Sequence, residues 1–267
     1  MSTISERRLT TAKILAVVCA LLTVSAVRAA EIKVVTSGAF TAAYLKLVPD
    51  YERSTHNKLV TEFGPSMGTT HNAIPLRLER GEAIDVVIMA APALADLIKQ
   101  GKVRVGSRVD LVESRIGMAV KAGAPKPDIS TVEALKRTLL AAKSIAYSDS
   151  ASGVYLSNEL FPKLGIVDQI RRKSRKIEAD PVGEAVARGE IEIGFQQISE
   201  LRPVKGIDIV GPLPAGAQKV TVFAAGIPAT SKQPAEAKAL IKWMASPAAY
   251  SAIKESGLEP APAAVSR

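Results

Sequence analysis

From Glu31 onward the chain alternates short runs rich in β-branched residues with longer stretches of helical spacing. That alternation favours one architecture, strands lying side by side and joined by helices that cover the sheet. Ile32-Lys33-Val34-Val35 reads as a strand. The segment from Ala42 to Ser54 follows as a helix, with Tyr44, Leu45, Leu47, Val48 and Tyr51 at helical intervals. Lys58 to Phe63 is a second strand. A helix from Ala73 to Arg80 stops at Gly81, and the near-continuous apolar run from Ile84 to Met89 suits a parallel strand buried on both faces. Pro92 to Gln100 is the next helix, ended by Gly101. The predicted class is α/β.

A second α/β set opens at the apolar strand Arg115 to Val120. It runs through a helix beginning near Ser130, a strand from Ser144 to Tyr147, a helix from Gly153 to Leu164 and a strand near Ile191 to Phe195. After Pro212-Leu213-Pro214, a strand over Val220 to Ala225 and a helix over Ala235 to Met244 return the chain to the first set. The expected organisation is two lobes, residues 30–114 with 222–267 and residues 115–221, joined by two crossing strands that form a hinge. No short-period repeat or low-complexity segment interrupts this plan.

The first 29 residues read differently. Arg7, Arg8 and Lys13 precede an apolar run from Ile14 to Val27, and Val27-Arg28-Ala29 offers a cleavage site, the three-part plan of a secretory signal peptide. The run is shorter than the roughly 20 apolar residues a bilayer span needs. A cleaved leader and a periplasmic location are therefore expected. The only cysteine, Cys19, lies inside that leader, so the mature chain would have no disulfide and no thiol nucleophile. The net charge is +9, of which the leader carries +3, leaving +6. A positive balance steers anions towards a protein. Aromatic residues are few and the charge is dispersed, which argues against a nucleic-acid partner; the one dense basic run, Arg171 to Lys176, reads as a solvated surface.

Four strand-to-helix junctions have the composition of ligand loops. In open sheets, ligands sit beyond the carboxyl ends of strands, where helix N-termini present unpaired amides and suit anions. The first junction holds Thr36, Ser37 and Thr41, which simple helix capping would also explain. The second, Gly64 to Asn72, places Ser66, Gly68, Thr69, Thr70 and His71 before a helix, more donors than capping requires. The third runs from Tyr147 to Tyr155 and includes Ser152 and Gly153. The fourth ends in Gln196 and Gln197, whose amides donate to a carboxylate and accept from a hydroxyl.

The order of these segments resembles the periplasmic molybdate-binding protein family, of the type II periplasmic-binding-protein fold. The stretches that carry the resemblance are Thr36 to Tyr44, Arg80 to Ala90, and Ala151 to Tyr155 running on to Ile166. It implies a ligand between the lobes, held by hydroxyls and main-chain amides. This chain departs from the family at the ligand positions. Ala39 stands where the family has a first-loop serine, the second loop is longer and interrupted by glycines, and the ligand tyrosine falls near Gln197. A small anion of flatter, organic shape, a di- or tricarboxylate, fits such loops better than a compact oxyanion.

Catalytic signatures are sparse. No serine-histidine-carboxylate spacing, phosphate loop, dinucleotide fingerprint or metal-ligand cluster is present, so neither a cofactor nor a metal is expected. A proton shift beside a carboxylate needs only one base and several donors. Chains of similar plan include aconitate isomerase, which performs such an allylic transfer. Two readings stand. As a carrier, the protein would act as a monomer and hand its anion to an ABC-type membrane permease. As an isomerase it would use His71 as base with Tyr155 as a second acid or base. His56 reads as a surface residue, and Arg77 as an exposed helical arginine, with a place at the cleft as its alternative.

Overall fold

A computed structural model describes residues 29–178 and 180–262. Apart from Ala29, the expected leader, with Cys19, lies outside the described residues. Strand β1 (Glu31–Thr36) leads into helix α1 (Gly38–Thr55), β2 (Lys58–Phe63), α2 (Ile74–Glu79), β3 (Val86–Ala90), α3 (Ala91–Lys99) and β4 (Val109–Ser114). The chain crosses to β5 (Ile116–Lys121), α4 (Val132–Ala141) and β6 (Ile145–Ser148). A helix in three parts follows: α5 (Ala151–Tyr155), a π-helical turn (Leu156–Leu160) and α6 (Phe161–Leu164). Next come α7 (Val167–Ile170), β7 (Ser174–Ile177), α8 (Val182–Ala187), β8 (Ile193–Gln197), α9 (Ile198–Leu201) and β9 (Ile207–Pro212). The chain then returns through β10 (Thr221–Gly226), α10 (Pro234–Met244), α11 (Tyr250–Glu255) and β11 (Glu259–Pro260).

Two mixed sheets result, one ordered β11-β4-β10-β3-β1-β2 and the other β7-β6-β8-β5-β9. In the first, β1 pairs in parallel with β2 and β3, while β10 runs antiparallel between β3 and β4. In the second, β6 is parallel to β7 and β8, and β5 is antiparallel to β8 and β9. This is the two-lobed α/β fold that the alternation of elements predicts.

Each sheet has its own core. Val34 and Ile88 of the first sheet are fully buried against Phe40 and Tyr44 of α1 and Leu240 and Ile241 of α10. Met118, Ile145 and Phe195 of the second pack on Leu156 and Leu160. Side chains buried this completely contribute about 1.5–3 kcal/mol each. The apolar run of β3 is buried at all five positions, as a central strand covered on both faces requires.

Several local departures have physical causes. Helix α1 begins at Gly38, four residues before the predicted start, because Ser37 stands at the N-cap in extended backbone (φ −82°, ψ 160°). The π-helical turn precedes Pro162, which has no N–H to give to the helix ladder and whose ring crowds the carbonyl before it; Phe161 N–H reaches back to the Leu156 carbonyl instead. Strand β8 extends through Gln196 and Gln197 rather than ending at Phe195. Strand β4 is absent from the sequence reading, since Asp110 and Glu113 interrupt its apolar pattern while Leu111 and Val112 are buried.

One carboxylate ties the first lobe together. Asp85 is buried, and its Oδ2 accepts from the Lys33 amide at 2.9 Å. Its Oδ1 accepts from Ser231 Oγ at 2.9 Å and from the amides of Lys232 and Gln233 at 2.9 and 3.0 Å. A single side chain thus joins β1 to the amides that precede α10.

The two crossings between sheets lie side by side. Ile198 N–H donates to the Arg115 carbonyl and Leu213 N–H to the Ile116 carbonyl. The Gln218 side chain spans them: its Oε1 accepts from the Ile116 amide at 2.9 Å, and its Nε2 donates to the Ile116 carbonyl at 2.9 Å.

Candidate functional site

Between the sheets lies a cavity of about 380 Å³. From the first sheet's side come Gly38, Thr41, Ala42 and Leu45 of α1, with Phe63, Gly64, Pro65 and Asn72. The other wall comprises Ser148, Asp149 and Ser150 after β6, Asp180 and Pro181 before α8, and Gln196, Ser199, Glu200 and Pro203 around β8 and α9. A second, small pocket of about 10 Å³ shares Gly38, Ser150 and Glu200 with it and is also bounded by Ser37, Ser152 and Gln197. Sites for small organic ligands are roughly 300–1,000 Å³, so the cavity has the size of an organic anion's site.

The polar groups at this cleft are unusually unpaired. Seven buried side-chain atoms among the described residues have no hydrogen-bond partner, and four of them belong to residues that line these two spaces: Ser37 Oγ, Asp149 Oδ2, Gln197 Nε2 and Ser199 Oγ. Leaving such a group unsatisfied costs about 1–3 kcal/mol. Their concentration at one place points to a ligand that supplies the missing partners. Ser37 illustrates it, standing at a helix N-cap while its hydroxyl makes no capping bond.

Glu200, on the four-residue helix α9, lines both the cavity and the small pocket beside it. Burial pushes its carboxyl up to about 7; hydrogen bonds from the Gln196 side chain and the Gln197 backbone oppose the shift, and the charge of Asp149 adds to it. Burial likewise raises Asp149, with a further push from Glu178. Among the described residues no lysine or arginine lines the cavity, whereas three carboxylates do, those of Asp149, Asp180 and Glu200.

Two glycines let the lobes meet over these carboxylates. A β-carbon on Gly38 would lie 2.0 Å from Glu200 Oε1, and one on Gly68, whose φ is +103°, would lie 3.1 Å from Asp149 Oδ2. Gly38→Ala is therefore expected to push the Glu200 carboxylate aside rather than to move backbone. Its cost to stability should be small, well under the roughly 1–3 kcal/mol of core overpacking, read as a nearly unchanged midpoint of thermal unfolding.

The other sequence-predicted residues divide. Ser37, Ser152, Gln196 and Gln197 line the cleft, and Gly153 is fixed there by crowding, since a β-carbon would fall 1.6 Å from the Ser148 carbonyl oxygen. Ser152 Oγ is 3.1 Å from Ser148 Oγ. Gln196 Oε1 accepts from the Val182 amide at 3.0 Å and Gln197 Oε1 from Ser114 Oγ at 2.8 Å, which leaves both amide NH₂ groups for the cleft. Thr36 is buried with its hydroxyl donating to the Ser37 carbonyl. Ser66 is buried too, and its Oγ accepts from the Ala90 amide at 2.9 Å, tying the second loop to the end of β3. Gly68 serves the lobe contact, Thr69 is exposed, and Thr70 does not line the cavity.

Both candidate catalysts fall elsewhere. His71 is exposed in an outer groove with Arg77, Arg80 and Glu82, because the second loop turns its side chain away from the other lobe. Tyr155 donates its hydroxyl to the Ala217 carbonyl at 3.0 Å, under Lys219, and burial raises its pKa, so it is committed to the second lobe's packing. Arg77 faces that outer groove, paired with Glu62 and Glu82. The sequence reading missed Glu200 and Ser199. The available signal was the polar continuation Gln196-Gln197-Ile198-Ser199-Glu200, in which Glu200 stands four residues past Gln196. Among the described residues no group of three histidine, cysteine or carboxylate side chains is arranged to hold a metal.

Residues 32–259 match the family described as bacterial extracellular solute-binding protein. An aconitate isomerase of Pseudomonas sp is 50% identical over 230 residues, which cover 86% of this chain and 88% of the relative. The molybdate-binding protein ModA of Azotobacter vinelandii is 26% identical over 180 residues, covering 66% of this chain and 68% of that protein. Among solved structures, the Azotobacter vinelandii periplasmic molybdate-binding protein superposes with a TM-score of 0.67 at 23% identity, over 85% of this chain and 98% of that one.

Proposed function

The chain belongs to the bacterial extracellular solute-binding protein family, and within that family we propose, from its cleft and its 50% identity to a protein named aconitate isomerase, that it is an exported aconitate isomerase. In this reading the lobes, residues 30–114 with 222–267 and residues 115–221, close on the substrate in the periplasm after the leader is removed. The observation that carries it is Glu200, an enclosed carboxyl poised near pH 7 beside unpaired donors. A general acid or base is most effective when its pKa lies near the working pH.

The chemistry needs no more than these groups supply. Glu200 takes a proton from the substrate's methylene carbon. The freed electron pair becomes the new double bond to the central carbon, the old π pair accepts a proton at the former vinyl carbon, and the formula is unchanged. Negative charge passes transiently onto a substrate carboxylate, where Ser37 Oγ, Ser199 Oγ and the Gln197 amide donate to it, with the α1 N-terminus alongside. The apolar wall of Ala42, Leu45, Phe63 and Pro65 accommodates the flat unsaturated carbon frame. The 50% identity to a protein named aconitate isomerase supports the substrate class.

A carrier reading, in which the same cleft delivers an organic di- or tricarboxylate to a permease, is favoured by the solute-binding family itself. The two separate in one experiment. Purified mature protein is mixed with cis- and trans-aconitate, citrate and molybdate, and both thermal unfolding and NMR spectra are followed. A ligand at a hundred times its dissociation constant stabilises by about 2.7 kcal/mol. Stabilisation by both aconitates with their interconversion is the expected result. Stabilisation without interconversion would leave a carrier, and a response to molybdate alone would overturn both.

A further inference from the structure

Asp149 is a half-buried carboxylate of the cleft that the reading above leaves without a role. It follows β6, its amide donates to the Ile177 carbonyl, and Oδ2 is shut off from solvent with no partner. The ordinary task of an aspartate just before a helix is to cap it. Asp149 does not do so: the N-cap is Ser150, and no side chain makes a capping bond there. A β-carbon on Gly68 of the second loop would lie 3.1 Å from its Oδ2, whereas one on Gly38 of the first would lie 2.0 Å from Glu200 Oε1. The two acids therefore sit at separate points of one cavity, each seated against a glycine of the other lobe. Ser199, buried and without a partner, borders the same cavity, and Ser37 and Gln197, also without partners and no more than 2% exposed, border the small pocket that meets it at Glu200; together they mark a ligand site rather than a mere acidic cluster.

We propose that Asp149 is a second catalytic residue of this site, exchanging a proton with one allylic carbon of the substrate while Glu200 exchanges a proton with the other. The assignment rests on the isomerase reading above. Two carboxylates around one small space favour a state in which they hold a single proton between them. In one direction Glu200 removes a proton from the methylene carbon and the Asp149 carboxylic acid delivers one to the vinyl carbon. In the other direction Asp149 is the base and Glu200 the acid. Each turnover moves the pair's proton from one residue to the other, and exchange with water through the cavity mouth restores it. No oxidant, reductant or further reactant is required.

The test follows hydrogen isotopes in deuterated water under saturating aconitate. With wild-type protein, the first product formed is expected to carry one solvent-derived deuterium at its new methylene carbon. Asp149→Asn keeps the shape of the side chain and breaks no hydrogen bond to Oδ2, so its unfolding midpoint should be no lower than wild type and aconitate should still stabilise it. Its isomerisation should fall at least 100-fold, while exchange of the substrate's methylene hydrogen, which needs only Glu200, persists. Asp149→Glu should recover part of the isomerisation. Return of the substrate's own proton to the product, or isomerisation by Asp149→Asn at the wild-type rate, would refute the role of Asp149 and leave the isomerase reading intact. Wild-type protein that neither isomerises nor exchanges would refute the isomerase reading itself.

Discussion

In the proposed isomerase, Glu200→Gln should lower the rate of aconitate interconversion by about 10²–10⁴-fold, the usual contribution of a positioned acid or base, and it should make the protein more stable at pH 8. Both effects come from one cause. Enclosure in the cleft holds the Glu200 carboxyl at about 7, against a value of 4.5 when it is free. A carboxyl raised on folding binds its proton more tightly in the folded chain. The stability it contributes is fully present below about 4.5, declines as pH rises towards 7, and is lost above. At roughly 1.4 kcal/mol per pH unit, the charged group costs up to about 3 kcal/mol above neutrality. Glutamine removes that cost and keeps the size of the side chain. Unfolding midpoints for the two proteins should converge near pH 4.5 and separate progressively to pH 8, with the variant higher. A variant that lost activity and melted lower at pH 8 would show Glu200 to be a structural residue.

The second large effect lies away from the cleft. Asp85→Ala strips the acceptor from the amides of Lys33, Lys232 and Gln233 and from the Ser231 hydroxyl. Net losses of roughly 1 kcal/mol or more for each bond to a charged acceptor, with the penalty for amides left buried, bring the expected cost to about 3–5 kcal/mol. For a chain of this size 1 kcal/mol moves the unfolding midpoint by roughly 2–4 °C. A fall on the order of 10 °C is expected by calorimetry, accompanied by increased hydrogen exchange at the start of α10. A shift of only a degree or two would mean that water replaces the carboxylate.

Most of the fold could be read from the chain because buried strands and amphipathic helices declare themselves locally. Ile84 to Met89 and the helical spacing of Tyr44, Leu47 and Tyr51 need no tertiary information to interpret. Elements that depend on their partners were not legible. Strand β4 alternates imperfectly, and α9 is one turn long, so neither has a pattern of its own. The site followed the same rule. Ser37, Ser152, Gln196 and Gln197 stand at strand ends, where topology alone brings ligand groups together. Glu200 becomes important only through what surrounds it: Gly38 from a segment over 160 residues away in the chain, and, among the described residues, a cavity wall without lysine or arginine. His71 misled because loop composition does not reveal which way a loop turns.

The Gln218 amide that grips both sides of Ile116 has a mechanical consequence. Two independent connectors would allow the halves of the molecule to shear as well as bend. Joined across their width by this pair of 2.9 Å bonds, the connectors are held in one register where the chain passes between the sheets. Removing the amide, as in Gln218→Ala, would take these partners from both the N–H and the carbonyl of Ile116.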